Sequence, residues 1–343
     1  MTRSTDTLSR RALLRSAAAA GLIAPLGLSA SEAFAAPRAV NDKGLTPIKL
    51  AWNANAACLA PIPLAISSGL FFKHGIDVEL INFVGSTDQL LEALATGKAD
   101  AGVGMALRWL KPLEQGFDVK LTGSTHGGCL RLLADKNSGI TTDIRSLKGK
   151  IIATPDLGGP DKNFFSLLAQ KRGLDPAKDI EWRQYPADLL PVAVQKGEVH
   201  ALSHSDPLTW AFLSRYPNLF EVATNLTAEY QSRVCCVIGV RGSLLREDKP
   251  AAAALTRALV EAQDLTVQNY RRTAEAFFPY SPKTSVDELV LMLKSHTHGH
   301  HPQGGNFKKE IITWVDELKQ VGVIKSTTDP VKYADRVYAD VLS

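Results

Sequence analysis

The sequence predicts an α/β protein of two lobes, each an open sheet flanked by helices. Three observations carry this expectation. From Ile48 onward, short apolar runs alternate with helical segments, the pattern of a largely parallel sheet. The alternation restarts near Lys150, after about one domain's worth of chain. And the run from Ala93 to Ala101, with its turn at Gly97 and Lys98, is echoed from Ala193 to Ala201, with its turn at Gly197 and Glu198. Both copies read as helix end, glycine cap, charged turn and buried strand, an internal repeat of one supersecondary unit.

In the first half, residues 48–52 form an apolar strand. Pro61 opens a helix over 61–73, closed by Gly75, and 76–83 alternates as a strand. Ser86, Thr87 and Asp88 cap a helix over 89–95 that ends at Gly97. Small residues over 99–105 make a strand, 107–115 a helix and 119–125 a strand. The second half repeats this with strands at 150–154, 180–185, 199–203 and 220–223, and helices at 162–172, 189–195 and 207–215. A strand at 235–240 follows, then helices at 250–270, 272–277, 286–294, 307–321 and 330–342. The chain is expected to cross between lobes near 125–139 and 225–241, giving one lobe from 46–128 with 237–343 and a second from 129–236.

The first 36 residues read as an export address rather than part of the fold. Arg3, Arg10, Arg11 and Arg15 form a basic start, and residues 16–30 are apolar but too short for a bilayer core of about 30 Å. Ala33-Phe34-Ala35 supplies a small-residue cleavage site, so processing is expected after Ala35. Ser9-Arg10-Arg11-Ala12-Leu13-Leu14 resembles a twin-arginine signal. The first cysteine is Cys58, which leaves no lipid anchor at the new terminus. The mature chain is expected free in the periplasm, as a monomer. Removing the four arginines and two acids of the signal takes the net charge from +4 to +2, which is no nucleic-acid footprint.

The order and spacing of several blocks carry a family resemblance. Ser68-Gly69-Leu70-Phe71-Phe72-Lys73-His74-Gly75-Ile76-Asp77-Val78 resembles a signature of periplasmic solute-binding proteins for sulfonates, taurine, nitrate and thiamine precursors, the NMT1-like group. Leu147-Lys148-Gly149-Lys150, Gly173-Leu174-Asp175 and Asp206-Pro207 resemble its second-lobe blocks. The resemblance implies a type II periplasmic binding protein, a Venus flytrap in which two α/β lobes on two hinge strands close over a ligand. It also implies a small anionic organic ligand, sulfonate-like or organosulfur, and an ABC permease in the inner membrane as partner. His200 stands where the family carries an acid, at a position of structural character.

Ligands of open α/β sheets sit beyond the carboxyl ends of strands, near free helix N-termini. That rule nominates Asn53, Asn55, Cys58, Ser86, Thr87 and Arg108 in the first lobe, with Gly158, His204 and Asp206 in the second. The crossings add His126, Cys129, Arg233 and Cys235. The family places ligand contacts near Asn53 and Asn55, and Arg108 and Arg233 carry the charge either to meet an anion or to form a surface ion pair, the commoner fate of an arginine. Cys58, Cys129 and Cys235 with His126 and His204 give a second reading, a soft-metal or metal-complex binder in the same cleft. No CxxC spacing supports that reading, so no metal and no cofactor is expected. Cys235-Cys236 resembles part of the longer cysteine cluster of fungal pyrimidine-precursor synthases, giving a third reading, although two cysteines do not make an iron enzyme. No nucleophile elbow, phosphate loop, HExxH or dinucleotide fingerprint appears, and catalysis is not expected. His296, His298, His300 and His301 form a conspicuous cluster, placed by the sequence in a loop away from the cleft and read either as a helix-terminus structure or as a metal contact.

Overall fold

A computed structural model describes residues 40–54, 56–83, 87–281 and 283–343, without the side chains of Thr87 and Asp88. The expected signal and its cleavage after Ala35 lie outside the described residues, as do Asn55, Ser86 and the Thr87 side chain. The strands are β1 (Thr46–Trp52), β2 (Ile76–Asn82), β3 (Ala101–Met105), β4 (Val119–His126), β5 (Leu130–Asp135), β6 (Lys150–Thr154), β7 (Ile180–Gln184), β8 (Ala201–Ser205), β9 (Leu219–Thr224) and β10 (Cys236–Arg241). The helices are α1 (Pro61–Ser67), α2 (Leu70–Lys73), α3 (Thr87–Ala95), α4 (Ala106–Glu114), α5 (Pro160–Lys171), α6 (Leu190–Gln195), α7 (Leu208–Arg215), α8 (Gly242–Glu247), α9 (Lys249–Gln268), α10 (Tyr270–Phe277), α11 (Val286–Ser295), α12 (Gly304–Gln320) and α13 (Pro330–Val337).

The strands form two mixed sheets of matching topology, β2-β1-β3-β10-β4 and β7-β6-β8-β5-β9. In the first, β1 runs parallel to β2 and β3, while β10 is antiparallel to β3 and β4. In the second, β6 runs parallel to β7 and β8, while β5 is antiparallel to β8 and β9. The chain passes between sheets where β4 leads into β5 and where β9 leads into β10.

The repeated segment occupies the same slot in each sheet. Leu50 pairs with Ala101 in the first, and Ile152 with Ala201 in the second. Gly97 and Gly197 adopt left-handed φ values of +77° and +69°, which a side chain would strain. Asp100 accepts the Lys49 N–H at 2.8 Å, and His200 Nδ1 accepts the Ile151 N–H at 3.0 Å. Register makes Lys49 and Ile151 equivalent, so His200 does the structural work of the acid it replaces.

Two expectations need correction. The single helix expected over 61–73 is split into α1 and α2, because Gly69 takes a left-handed φ of +68° between them. The segment 125–139, read as a crossing, contains β5, an inner strand of the second sheet. Its residues Leu130 to Ala134 are buried on both faces and include Arg131, so neither alternation nor an unbroken apolar run marked it.

Elsewhere local chemistry fixes the boundaries. The Asp248 side chain caps α9 by accepting the Ala251 N–H, and Ser285 with Glu288 forms a capping box at α11. One apolar core runs from Leu107 and Trp109 through Phe164 and Phe165 to Trp314 of α12. A second lies between the first sheet and α1, α9 and α10, and a third packs Leu133, Leu190 and Phe212 in the second lobe. Among the described residues, no helix is long and apolar enough to cross a membrane.

Candidate functional site

A narrow cavity of about 60 Å³ opens beside the carboxyl ends of β1 and β3. Trp52, Asn53, Cys58, Phe83, Arg108, Trp109 and Cys236 are among its walls. The small residues of β3 and β10 make its back possible. A Cβ at Gly239 would lie 2.1 Å from Trp109 Cζ3, and one at Gly104 2.4 Å from Trp109 Nε1. The fully buried Trp109 ring therefore lies flat on the strands and lines the cavity.

Arg108 stands at the rim. Its Nη2 donates to Asp156 Oδ2 at 2.9 Å, tying α4 to the loop after β6 in the other lobe. Its Nε–H is buried and has no acceptor. A buried N–H without a partner costs free energy unless an acceptor reaches it, so the geometry favours an acceptor entering here. Among the residues nominated by sequence, Asn53, Cys58 and Arg108 line this one cavity.

The others lie elsewhere. The Gly158 N–H donates to Asp156 Oδ1 at 2.9 Å, so the backbone expected to meet a ligand is already hydrogen-bonded. His204 is half-buried at the end of β8, and burial pushes its pKa down. Asp206 is fully buried and saturated. Its carboxylate accepts from Arg131 Nε at 3.0 and 3.1 Å, the Thr209 hydroxyl at 2.6 Å, the Trp210 N–H at 3.0 Å and His296 Nε2 at 2.9 Å. Burial raises its pKa, but His296, Arg131 and Thr209 outweigh that and hold it below the ordinary aspartate value. Arg233 is likewise engaged. It donates to Glu310 at 3.1 Å and to both Glu317 oxygens at 3.0 and 3.2 Å, with its guanidinium carbon 4.0 Å from the Trp314 ring centroid. These partners engage all three of its nitrogens, the geometry of a structural ion pair.

The four cysteines are free, buried and gathered together. Hydrogen bonding to Cys235 and Cys58, then burial, holds the Cys129 and Cys236 thiols well above the ordinary thiol value. His126 lies against this group, and one ligand atom from each of His126, Cys129 and Cys235 falls within 4.8 Å of the others. The histidine segment that sequence placed away from the cleft comes back to the same region. His126 packs 5.4 Å from His296 and 4.6 Å from His298 between ring centroids. The spacing of these histidines was visible in the sequence, but the return of the chain after α11 to the end of β4 was not. Sequence reasoning also missed Arg131, Asp156 and the aromatic walls, for which a lone charge or ring in a run offers no local signal.

The fold defines a class: two α/β lobes joined at two crossings, with a cavity at the strand ends, are the architecture of periplasmic solute-binding proteins. A family model described as NMT1/THI5 like matches residues 57–271, and the chain belongs to that family. It is similar to the alkanesulfonate-binding protein SsuA from Xanthomonas axonopodis pv. citri bound to MOPS. That match has TM-score 0.70 and 17% identity, covering 86% of this chain and 98% of the other. It is similar also to the periplasmic nitrate-binding protein NrtA from Synechocystis PCC 6803, with TM-score 0.71 and 16% identity, covering 87% of each chain. A shorter match is to 4-amino-5-hydroxymethyl-2-methylpyrimidine phosphate synthase from Uromyces fabae, 37% identical over 109 residues. That match spans 31% of this chain and 30% of the relative's length.

Proposed function

We propose that the chain is the periplasmic solute-binding component of an ABC importer, exported by the twin-arginine route and cleaved after Ala35. It takes up a small anionic organic molecule, of sulfonate or organosulfur type, between lobes 46–128 with 237–343 and 129–236. It acts as a monomer and delivers its cargo to an inner-membrane permease without chemical change. The observation that carries this reading is the buried, unpartnered Nε–H of Arg108 at the rim of a cavity walled by Trp52, Phe83 and Trp109. A guanidinium with a free donor suits an oxyanion, and aromatic walls suit the apolar part of an organic molecule. The two solved structures described above are named for an alkanesulfonate and for nitrate, both anions. Asn53 and Cys58 complete the contacts on the first lobe. Ser86 and Thr87, at the start of α3, and Asn55 belong to the same proposal.

A thermal-shift screen of alkanesulfonates, taurine, nitrate and aminopyrimidines tests it. A ligand at 100 times its Kd stabilises the chain by about 2.7 kcal/mol. The reading expects a shift with an organic anion, reduced at least ten-fold in affinity by Arg108→Met. A shift with the pyrimidine alone, indifferent to Arg108→Met, or turnover of any bound compound, would sink it.

A further inference from the structure

Within the described residues, the hinge side of the molecule holds a second arrangement that the small-molecule cavity does not use. His126 ends β4 and is fully buried, and neither of its ring nitrogens has a hydrogen-bond partner. His298 is fully buried and His296 nearly so. His298 Nδ1 lies 3.3 Å from Gln263 Oε1, a pure acceptor, so Nδ1 carries the proton and Nε2 presents a lone pair. His296 Nε2 lies 2.9 Å from the Asp206 carboxylate, so Nε2 carries the proton and Nδ1 presents a lone pair. Those two nitrogens, His298 Nε2 and His296 Nδ1, are the ones left without partners. One ring nitrogen from each of His126, His296 and His298 lies within 4.8 Å of the other two.

His298 Nε2 and His296 Nδ1 thus present lone pairs beside a third imidazole, that of His126, in a dry interior where unpaired polar atoms are costly. A cation reverses the sign of each contribution. We propose that His126, His296 and His298 form a three-imidazole site for a divalent first-row transition metal, of which zinc is the natural occupant by donor type. Neutral imidazole suits zinc, cobalt, nickel and copper, and three ring nitrogens leave one tetrahedral position for a fourth donor. Bonds of about 2.0–2.1 Å require the donors to draw in from their present spacing by roughly 1 Å, within the reach of small side-chain rotations. The outer contacts already match what such a site needs. A carboxylate and an amide oxygen orient two of the rings through their other nitrogens. Asp206 and Glu221 with Arg131 between them leave one net negative charge beside the site, in partial balance with the metal. The neighbouring Cys235 thiol interacts with Cys129, Cys236 and His126, so a thiolate is the competing donor that the cobalt spectrum distinguishes. A metal there ties the end of β4 to the segment after α11 where the chain crosses between sheets. Because the residues are buried, loading belongs to folding rather than to the finished protein.

The test is metal content of the full chain produced in minimal medium supplemented with zinc or cobalt. About one metal per chain is expected, retained in His301→Gln and lost in His126→Ala, His296→Gln and His298→Gln. Circular dichroism of each variant separates loss of metal from loss of fold, and a variant that does not fold is replaced by Gln263→Leu. That change keeps all three rings and should weaken metal retention against a competing chelator by about 10–100-fold. Cobalt-loaded chain should show tetrahedral ligand-field bands without a thiolate charge-transfer band. A metal-free wild type, metal retained in a folded His298→Gln, Gln263→Leu matching wild type in the chelator competition, or a strong thiolate-to-cobalt band would each overturn the three-imidazole site.

Discussion

Arg233 is the centre of a buried ion-pair network whose worth can be measured. Its guanidinium has two acidic partners and an aromatic face. Its side chain is 14% exposed and that of Glu317 10%, so the cluster is largely desolvated. Arg233→Met leaves Glu317 with only Lys171 at 2.7 Å, and removes the charge-assisted bonds to Glu310. Breaking a buried pair on one side costs about 3–5 kcal/mol, mostly from the charge left behind. Partial exposure places the expected loss near about 3 kcal/mol. With a urea m-value of about 3 kcal/mol/M, the unfolding midpoint should fall by about 1 M. Arg233→Met with Glu310→Gln should recover part of that loss, because Glu310 then leaves no unpaired charge while Glu317 keeps Lys171. Ligand affinity, measured by calorimetry on the folded variant, should be unchanged. An unaltered urea midpoint with a ten-fold loss of ligand affinity would refute the argument and return Arg233 to the ligand.

Two further outcomes follow from buried groups. Burial raises the Glu114 pKa, but Lys111, the Thr328 hydroxyl and the Lys325 N–H hold it below the ordinary value of 4.5. A carboxylate depressed by folding stabilises above its unfolded pKa, and that contribution is lost as pH falls through the folded pKa. Glu114→Gln should therefore lower stability at pH 7 and flatten the acid limb of stability below the ordinary glutamate value, read by urea titration. The wild-type slope persisting in the variant would show that other acids set that limb. The four cysteines are free and buried, so a thiol reagent should label none of them in the folded chain and all four in denaturant. Rapid labelling of a native thiol would contradict their burial, and fewer than four in denaturant would reveal a disulfide.

How far the sequence could carry the reading depends on whether a feature is local. The repeat at Gly97 and Gly197 was legible because a helix stop, a left-handed glycine and a buried strand are all encoded within nine residues. The first-lobe loop with Asn53 and Cys58, and the helix start with Arg108, were legible because parallel strands deliver their loops to one edge. β5 was illegible because Arg131 interrupts its apolar run, and partners far along the chain, Asp206 and Glu221 foremost, make that charge tolerable. The histidine segment failed for a related reason. Its four rings were conspicuous, but that two of them turn inward to meet His126 depends on α9 supplying Gln263 and on the turn after β8 supplying Asp206. A glycine pair at Gly158 reads either as room for a ligand or as a turn, and in the structure its N–H closes a turn on Asp156.

Asp156 also decides what charge the cavity prefers, and the sign of one substitution can be argued in advance. Among the polar contacts between the two lobes, three lie beside Arg108 and the first-lobe loop: Arg108 with Asp156, Asn163 Nδ2 donating to the Leu107 carbonyl at 3.1 Å, and the Ala57 N–H donating to the Asp206 carbonyl at 3.3 Å. The ion pair is about one-third exposed on each side and so contributes at most about 1 kcal/mol. With two ordinary hydrogen bonds, the polar latch amounts to about 2–3 kcal/mol, weak enough to part on the way to binding. An anion seated against Arg108 Nε would share that guanidinium with Asp156 and be repelled by it. At about 5 Å and an effective dielectric near 20, two like charges cost about 3 kcal/mol, reduced toward about 1 kcal/mol by the solvent at the rim. Asp156→Asn removes the repulsion and frees Arg108, and it should tighten an anionic ligand by about 5–10-fold even though it weakens the latch. A neutral ring would gain nothing from the change and would lose the latch, so its affinity should fall. Calorimetric titration of the variant therefore reads the charge of the cargo from the direction of the change, and tighter binding of a neutral compound would show that the latch, not the charge, governs the site.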